Sequence, residues 1–403
     1  MLAALSSSSL DKLMLKKIHR SIGNAPIRLR FKGGKESLPS PITDKETIVI
    51  QDRWALASMM LDPEIGFGDA YMEGRVEVKG DLVHVLELAL RAMHATGKRS
   101  WYYRLFSSWL HRVQDNTLDG SASNIHHHYD LNADFYKLWL DSRMVYTCAY
   151  FPNPSASLEE SQLAKIEHVC RKLQLQPGET VVDAGCGWGA LALHMAKHYG
   201  ATVKAFNISR EQIQYARTQA RKEGLTERVE FIEDDYRNIR GRFDAFVSIG
   251  MLEHVGREHY SELGTVIHRA IGDSGRGLLH FIGRNRPEPF SAWIRKRIFP
   301  GAYTPALREV MDIFEPQGYG VLDVENLRLH YAKTLEHWLD RYERSVDRVA
   351  ELFGPEFVRA WRLYLAGSIA SFRTGQLQLF QIVFAGSACQ NVPWTRAYLY
   401  TGG

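Results

Sequence analysis

Cysteine is scarce. The 403 residues hold four, Cys148, Cys170, Cys186 and Cys389, with no CxxC pair among them. That spacing excludes a disulfide scaffold or a structural zinc site as the organising device, and it fits a reducing cytoplasm. Long apolar runs are missing too: none approaches the roughly 20 residues needed to span a bilayer. Met1 to Leu10 puts no basic stretch ahead of a long apolar core, so no secretory signal is expected. Nor is there a large excess of one charge. The formal net charge of +4 is too small to argue nucleic-acid binding, and none is expected. Internal repeats and low-complexity tracts are also absent.

What remains is an ordinary globular composition, 45% hydrophobic and 24% charged, in a chain long enough for two domains. Aromatic residues make up 11%, which suits either a large core or a lining around an apolar or cationic species. The polar segment Asp115 to Asn124 (DNTLDGSASN) has linker composition and sets the expected boundary, giving domains 1–124 and 125–403. The first mixes strand-like runs, such as Glu46 to Gln51, with helical ones, such as Leu82 to Met93. It carries no catalytic constellation and is expected to be a smaller α+β accessory domain for lipid binding or dimerisation.

From Leu158 onward helical and strand-like patterns alternate. Helical runs are Leu158 to Leu173, Leu191 to Tyr199 and Glu211 to Glu223; strand-like runs are Thr180 to Ala184, Thr202 to Phe206, Val229 to Ile232, Phe243 to Ile249 and Gly277 to Ile282. Tyr319 to Leu329 and Leu379 to Ala385 read as the final strands. This alternation predicts an α/β domain, a mostly parallel sheet wrapped on both faces by helices.

Val181-Val182-Asp183-Ala184-Gly185-Cys186-Gly187-Trp188-Gly189 reads as a strand, a glycine turn and the start of a helix. Gly185, Gly187 and Gly189 let the backbone take positive φ and let a ligand approach the main chain. The dinucleotide fingerprint is G-x-G-x-x-G, whereas here the spacing is D-x-G-x-G-x-G. A carboxylate at Asp183 suits the cationic amino group of a methionine moiety and would repel a pyrophosphate. S-adenosylmethionine (SAM) is therefore the expected ligand; a bare tight turn, or another nucleotide, are the alternatives. An acid commonly follows the second strand to hold a ribose. Asn207 stands there instead, followed by Ile208 and, five residues on, Gln212, polar groups able to bond the sugar. Asp235 and Tyr236, after the third strand, are placed to meet the adenine.

Four further motifs accompany the turn: His127-His128-Tyr129-Asp130-Leu131, Tyr146-Thr147-Cys148-Ala149-Tyr150-Phe151, Ser248 to Gly256 (SIGMLEHVG) and Leu379 to Phe384 (LFQIVF). Together, in order from Ile125 to Ser387, they resemble the cyclopropane-fatty-acyl-phospholipid synthase and mycolic acid cyclopropane synthase family. The resemblance implies a class I SAM-dependent methyltransferase fold, doubly wound, and methyl transfer from SAM to a cis double bond in an acyl chain. The resulting carbocation loses a proton and closes to a cyclopropane, with a bound bicarbonate as the implied proton acceptor. Carried over by motif, the bicarbonate ligands are Cys148 and Ile282 through backbone groups and Glu253, His280 and Tyr331 through side chains. Tyr146 and Thr147 join the cofactor shell. The implied partners are unsaturated phospholipid acyl chains at the membrane surface, which puts the protein in the cytoplasm, peripherally attached to the inner face of the membrane. Bacterial members are often dimers, so a homodimer is the expected assembly.

Taken singly, these residues have blander readings. Glu253 would more often be a capping carboxylate, His280 a satisfied core histidine and Cys148 a small buried apolar group. The run His126-His127-His128 invites a metal, but adjacent side chains cannot all face one ion, and no metal is expected. Phe290 to Tyr303 interleaves Trp293, Ile294, Ile298 and Phe299 with Arg295, Lys296 and Arg297. It is either a helix with a solvated charged face or a membrane-contact patch. Three other functions compete with cyclopropane formation: a fatty-acid C-methyltransferase giving methylene or methyl-branched chains, a small-molecule N-methyltransferase, and a non-catalytic lipid-binding protein.

Overall fold

The computed structural model describes residues 7–32, 46–95 and 132–400. The expected linker at 115–124 and the residues His126 to Tyr129 lie outside the described residues. The chain forms two compact units: Met1–Val113 with Ser291–Ile298 and Leu335–Gln376, and Gln114–Phe290 with Phe299–Thr334 and Leu377–Gly403.

In the first unit, β1 (Arg28–Phe31) pairs parallel with β2 (Thr47–Ile50), and β2 pairs antiparallel with β3 (Val76–Lys79). Helix Pro355–Thr374 packs on helices Leu82–Ala95 and Pro63–Met72. Gly68 is needed in the last of these, because a Cβ there would sit 2.3 Å from the Trp293 ring. The neighbouring Asp69 is buried and gathers Trp293 Nε1 at 3.1 Å, Lys296 Nζ at 3.2 Å and the Arg297 guanidinium at 2.9 and 3.0 Å. In segment 290–303 Trp293 and Ile298 are buried, while Lys296 and Arg297 stay exposed and share the one Asp69 carboxylate.

The second unit is built on a seven-stranded sheet in the order β6-β5-β4-β7-β8-β10-β9. Its strands are β4 (Thr180–Ala184), β5 (Thr202–Asn207), β6 (Val229–Glu233), β7 (Ala245–Ile249), β8 (Arg276–Gly283), β9 (Gly320–Asn326) and β10 (Gln378–Ala385). Helices Leu158–Leu173, Ala190–Tyr199 and Arg210–Glu223 fall within a residue of expectation at each end. Ser157 and Glu160 close a capping box on the first of them. β4 to β8 are parallel; β10 runs antiparallel between β8 and β9. Every residue of β10 is buried. Three helices absent from the sequence reading, Arg328–Arg344, Val346–Phe353 and Pro355–Thr374, separate β9 from β10 in the chain.

From β4 the chain winds outward to β5 and β6, then returns to β7 on the other side of β4. The carboxyl ends of β4 and β7 therefore flank a topological switch point, where doubly wound sheets open a crevice. A closed polar network braces one wall. Glu325 Oε2, on β9, accepts from Lys172 Nζ at 2.6 Å and lies 2.7 Å from His168 Nε2, both on helix Leu158–Leu173. Burial pushes the Glu325 carboxyl up, but these hydrogen bonds outweigh it and hold it down at about 2. Tyr150 stacks between His168 and His330, 4.3 and 4.8 Å away, which fixes the 146–151 loop. Replacing Glu325 with Ala strands the fully buried Lys172 ammonium, and removing one partner of a buried pair costs about 3–5 kcal/mol. Urea unfolding at pH 7 should show that loss. Because the Glu325 pKa is depressed, the difference should shrink as pH falls from 4.5 towards 2. A loss below about 1 kcal/mol, the value of a surface pair, would contradict it.

Candidate active site

β4 ends at Asp183-Ala184 and the chain turns through three glycines into helix Ala190–Tyr199, with φ of +87° at Gly185, +54° at Gly187 and +90° at Gly189. Two of the glycines also admit close packing: a Cβ would meet Met251 at 2.9 Å from Gly185, and Ala216 and Phe231 at 2.8 Å from Gly189. A Cβ at Gly187 would meet nothing within 4 Å. This glycine presents bare backbone to the crevice, as a ligand lying on the main chain requires. The amides of Gly185 and Cys186 are tied to the Phe206 carbonyl at 2.9 and 3.0 Å. Asn207 Nδ2 donates to the Gly187 carbonyl (3.3 Å) and to Gln212 Oε1 (2.6 Å).

One cavity brings together Tyr146, Thr147, Asp183, Gly185, Gly187, Asn207 and Gln212 from the expected cofactor shell. Gly189, Ile208, Asp235 and Tyr236 do not line it. Asp235 caps the turn at Tyr236–Asn238 and pairs with Arg237 at 3.0 Å, while Tyr236 packs with Val182, Ala184 and Phe206 in the core. Asp183 is 1% exposed, and its Oδ2 has no hydrogen-bond partner. Burial raises its carboxyl to about 7, partly opposed by the charge of Lys165.

Of the five residues of the implied anion site, Glu253, His280 and Ile282 lie together beside this crevice, and Cys148 and Tyr331 are linked to them through Leu327 and Leu379. Glu253, in the turn after β7, is buried, and its Oε1 accepts from the Ile282 amide at 2.6 Å; Oε2 has no partner. Burial lifts this carboxyl also to about 7, with the Ile282 hydrogen bond opposing. The Ile282 amide is thus already engaged by Glu253. His280, two residues earlier on β8, is buried with Nε2 unpartnered, and burial holds the ring neutral. Ile282 pairs with Leu379, whose carbonyl accepts from the Leu327 amide at 2.8 Å. Cys148 Sγ in turn approaches the Leu327 carbonyl at 4.0 Å, and Ala149 N donates to Thr334 Oγ1 at 3.0 Å. That seats the 148–149 backbone against the first turns of helix Arg328–Arg344, where Tyr331 is buried.

Three buried polar residues of this region escaped the sequence reading. Gln381, on β10, faces His280 with its Nε2 3.1 Å from Nδ1. With the amide donating, Nδ1 is the acceptor and Nε2 carries the ring hydrogen. Gln162 Nε2 holds the Thr147 carbonyl at 2.8 Å. Lys165 Nζ donates to Thr147 Oγ1 at 3.0 Å and lines the cavity. A signal existed for two of them: Lys165 falls on the inward stripe of its helix, one residue before Ile166 and four before Val169, and Gln381 interrupts the apolar run LFQIVF.

The raised Asp183 pKa gives a pH dependence of known sign. The folded chain holds this proton up to about pH 7, and the unfolded chain releases it near 3.8, so ionisation at neutral pH destabilises the fold. Asp183→Asn should therefore gain stability relative to wild type as pH rises from about 4 to about 7 in urea unfolding, with a slope of at most about 1.4 kcal/mol per pH unit, and the gain should level off above pH 7. A difference that does not change with pH would contradict the raised value.

Comparison with known proteins adds what geometry alone lacks. The family model for mycolic acid cyclopropane synthetase matches residues 116–382, and a domain of unknown function matches residues 14–100. A probable fatty acid methyltransferase of Pseudomonas putida is 34% identical, over 93% of this chain and 96% of its own. The cyclopropane-fatty-acyl-phospholipid synthase of Escherichia coli K12 is 38% identical over 64% of this chain and 66% of its own. Among solved structures, the mycolic acid cyclopropane synthase CmaA1 complexed with SAH and CTAB aligns with a TM-score of 0.62 at 31% identity. It covers 65% of this chain and 97% of that one.

Proposed function

The chain belongs to the mycolic acid cyclopropane synthetase family and is a SAM-dependent methyltransferase, and from that premise we propose that it methylates the cis double bond of unsaturated phospholipid acyl chains to form cyclopropane fatty acids. The observation that carries the reading is the pair of buried, unpartnered polar atoms, Glu253 Oε2 and His280 Nε2. They belong to a turn and a strand joined through the Ile282 amide, beside the crevice where Asp183 and Gly187 suit the methyl donor.

An alkene is a poor nucleophile, so the work of the site is alignment in a dry cavity. Methyl transfer leaves a carbocation on the acyl chain. No strong nucleophile should then stand nearby to trap it, and burial keeps the Cys148 thiol protonated by pushing its pKa far up. Bicarbonate, when bound, supplies an oxygen base for the proton that the cation gives up. The donor set fits such an anion: Gln381 orients His280 so that Nε2–H donates, and Glu253, poised near 7, accepts the anion's hydroxyl hydrogen. Tyr331 and the backbone of Cys148 complete the cage, while the Ile282 amide, expected as a further ligand, instead holds Glu253 in place. The reaction takes place at the cytoplasmic face of the membrane, with the protein attached peripherally as a homodimer. Among the described residues no helix is long and apolar enough to cross a membrane.

A second reading keeps the same cation and ends it as a methylene or methyl-branched chain, favoured by the Pseudomonas putida relative that spans nearly the whole chain. Both are tested by incubating the protein with labelled SAM and monounsaturated phospholipid vesicles and analysing the released fatty acids by mass. We expect a gain of one CH₂ with loss of the double bond. Gain of CH₂ with the double bond retained would select the second reading, and unlabelled lipid would overturn both. Glu253→Gln should lower turnover by about 100-fold or more while still binding the cofactor; full activity would contradict its role.

A further inference from the structure

Lys165 is a buried cation with no carboxylate near enough to pair with. It is 3% exposed, reaches the cavity from helix Leu158–Leu173, and spends one of its three donors on Thr147 Oγ1 at 3.0 Å. Among the described residues no carboxylate oxygen lies within ion-pairing distance of it. Asp141, which contributes to its field, already accepts from the Arg143 and Val145 amides at 3.0 and 2.8 Å. Across the same cavity stands Asp183, with one oxygen unpartnered. Gln162 fixes the intervening Thr147 by its carbonyl, so the hydroxyl that orients Lys165 is itself held in place.

A buried ammonium and a buried carboxylate that do not reach each other are each costly, and a ligand carrying both opposite charges relieves both. Building on the SAM reading above, we propose that Lys165 anchors the α-carboxylate of the methionine portion, with Asp183 receiving its α-ammonium, so that the crevice selects a zwitterionic amino-acid head. The separate charges behave as this requires. Burial pulls Lys165 down to about 8, with nearby acidic groups only partly opposing, and raises Asp183 to about 7. The histidine on the wall, His254, is kept neutral by burial at about 4, so Lys165 is the one cation lining the cavity among the described residues. The field of Lys165 also reaches His280, which makes the caged anion a rival partner. Cavity membership decides against it: Lys165 lines the space shared by Thr147, Asp183 and the glycine turn, and Glu253 and His280 do not.

The test compares ligands that differ only in the head. S-adenosylhomocysteine (SAH) carries it, the decarboxylated analogue lacks the carboxylate alone, and 5′-methylthioadenosine lacks the whole amino-acid portion. By equilibrium dialysis, wild type should bind the decarboxylated analogue about 10–100-fold more weakly than SAH, the range of one charge-assisted hydrogen bond. Lys165→Met, similar in length and apolar, should lose the same factor for SAH and none for methylthioadenosine. Equal affinity of wild type for SAH and the decarboxylated analogue would overturn the proposal even if the variant did not fold. So would a Lys165→Met loss shared equally by SAH and methylthioadenosine, which marks a structural role. Failure of wild type to bind SAH at all would instead sink the SAM reading on which the proposal rests.

Discussion

Asp183, Glu253 and His280 are buried, and each keeps one polar atom to which the protein gives no hydrogen bond. A buried polar group without a partner costs roughly 1–3 kcal/mol, more when charged, so a native chain closes almost all of them. Here Asp183 Oδ2, Glu253 Oε2 and His280 Nε2 are left open together, at the carboxyl ends of β4, β7 and β8. The switch in winding direction between β4 and β7 creates that place, and the glycine turn and the 146–151 loop form its walls. Three unsatisfied titratable side chains gathered at one crevice are how a fold stores affinity for a ligand.

The same chain shows what a finished polar cluster looks like. Glu325 is surrounded by Lys172 and His168, and Asp69 by Trp293, Lys296 and Arg297. In each cluster the carboxylate has cationic partners, and the Glu325 carboxyl is pulled down rather than up. Asp183 and Glu253, more deeply buried and without a cation in hydrogen-bond reach, move the other way, both to about 7. Opposite shifts separate the groups that hold the fold together from those kept for a ligand. The register of the sheet links the two kinds: Gln381 stands opposite His280 on one side and Glu325 on the other, so the brace and the site share one row of residues.

Much of the second unit was legible in the residues. The strand, turn and helix around Asp183 follow from hydrophobic runs of two periods separated by glycines, and the helices of that region come out within a residue of expectation. Edges carried by tertiary context were not legible. β10 lies between β8 and β9 through non-local pairing that a window of sequence cannot express, and the helices from Arg328 to Thr374 are absent from the sequence reading, although the first of them holds Tyr331 and its motif. The 290–303 segment has a partner that no window of sequence shows: Asp69, a carboxylate more than 200 positions earlier, binds its Lys296 and Arg297. Lys165 and Gln381 were readable as polar residues on apolar stripes, but only their partners reveal what they orient. Asp235 was expected at an adenine; its proximity to Arg237, two residues on, gives it a local bond.

The charge of Asp183 in the buried crevice is incomplete without a ligand, and calorimetry reads that most directly. SAH titrated into the wild-type chain at pH 6 should bind at one site per chain. An ammonium beside Asp183 favours its ionised form, so binding should release up to about one proton. The apparent enthalpy should then vary with the ionisation enthalpy of the buffer, and Asp183→Asn should remove that variation. No binding heat, or the same enthalpy in every buffer, would contradict the claim that this carboxylate is held for the cofactor.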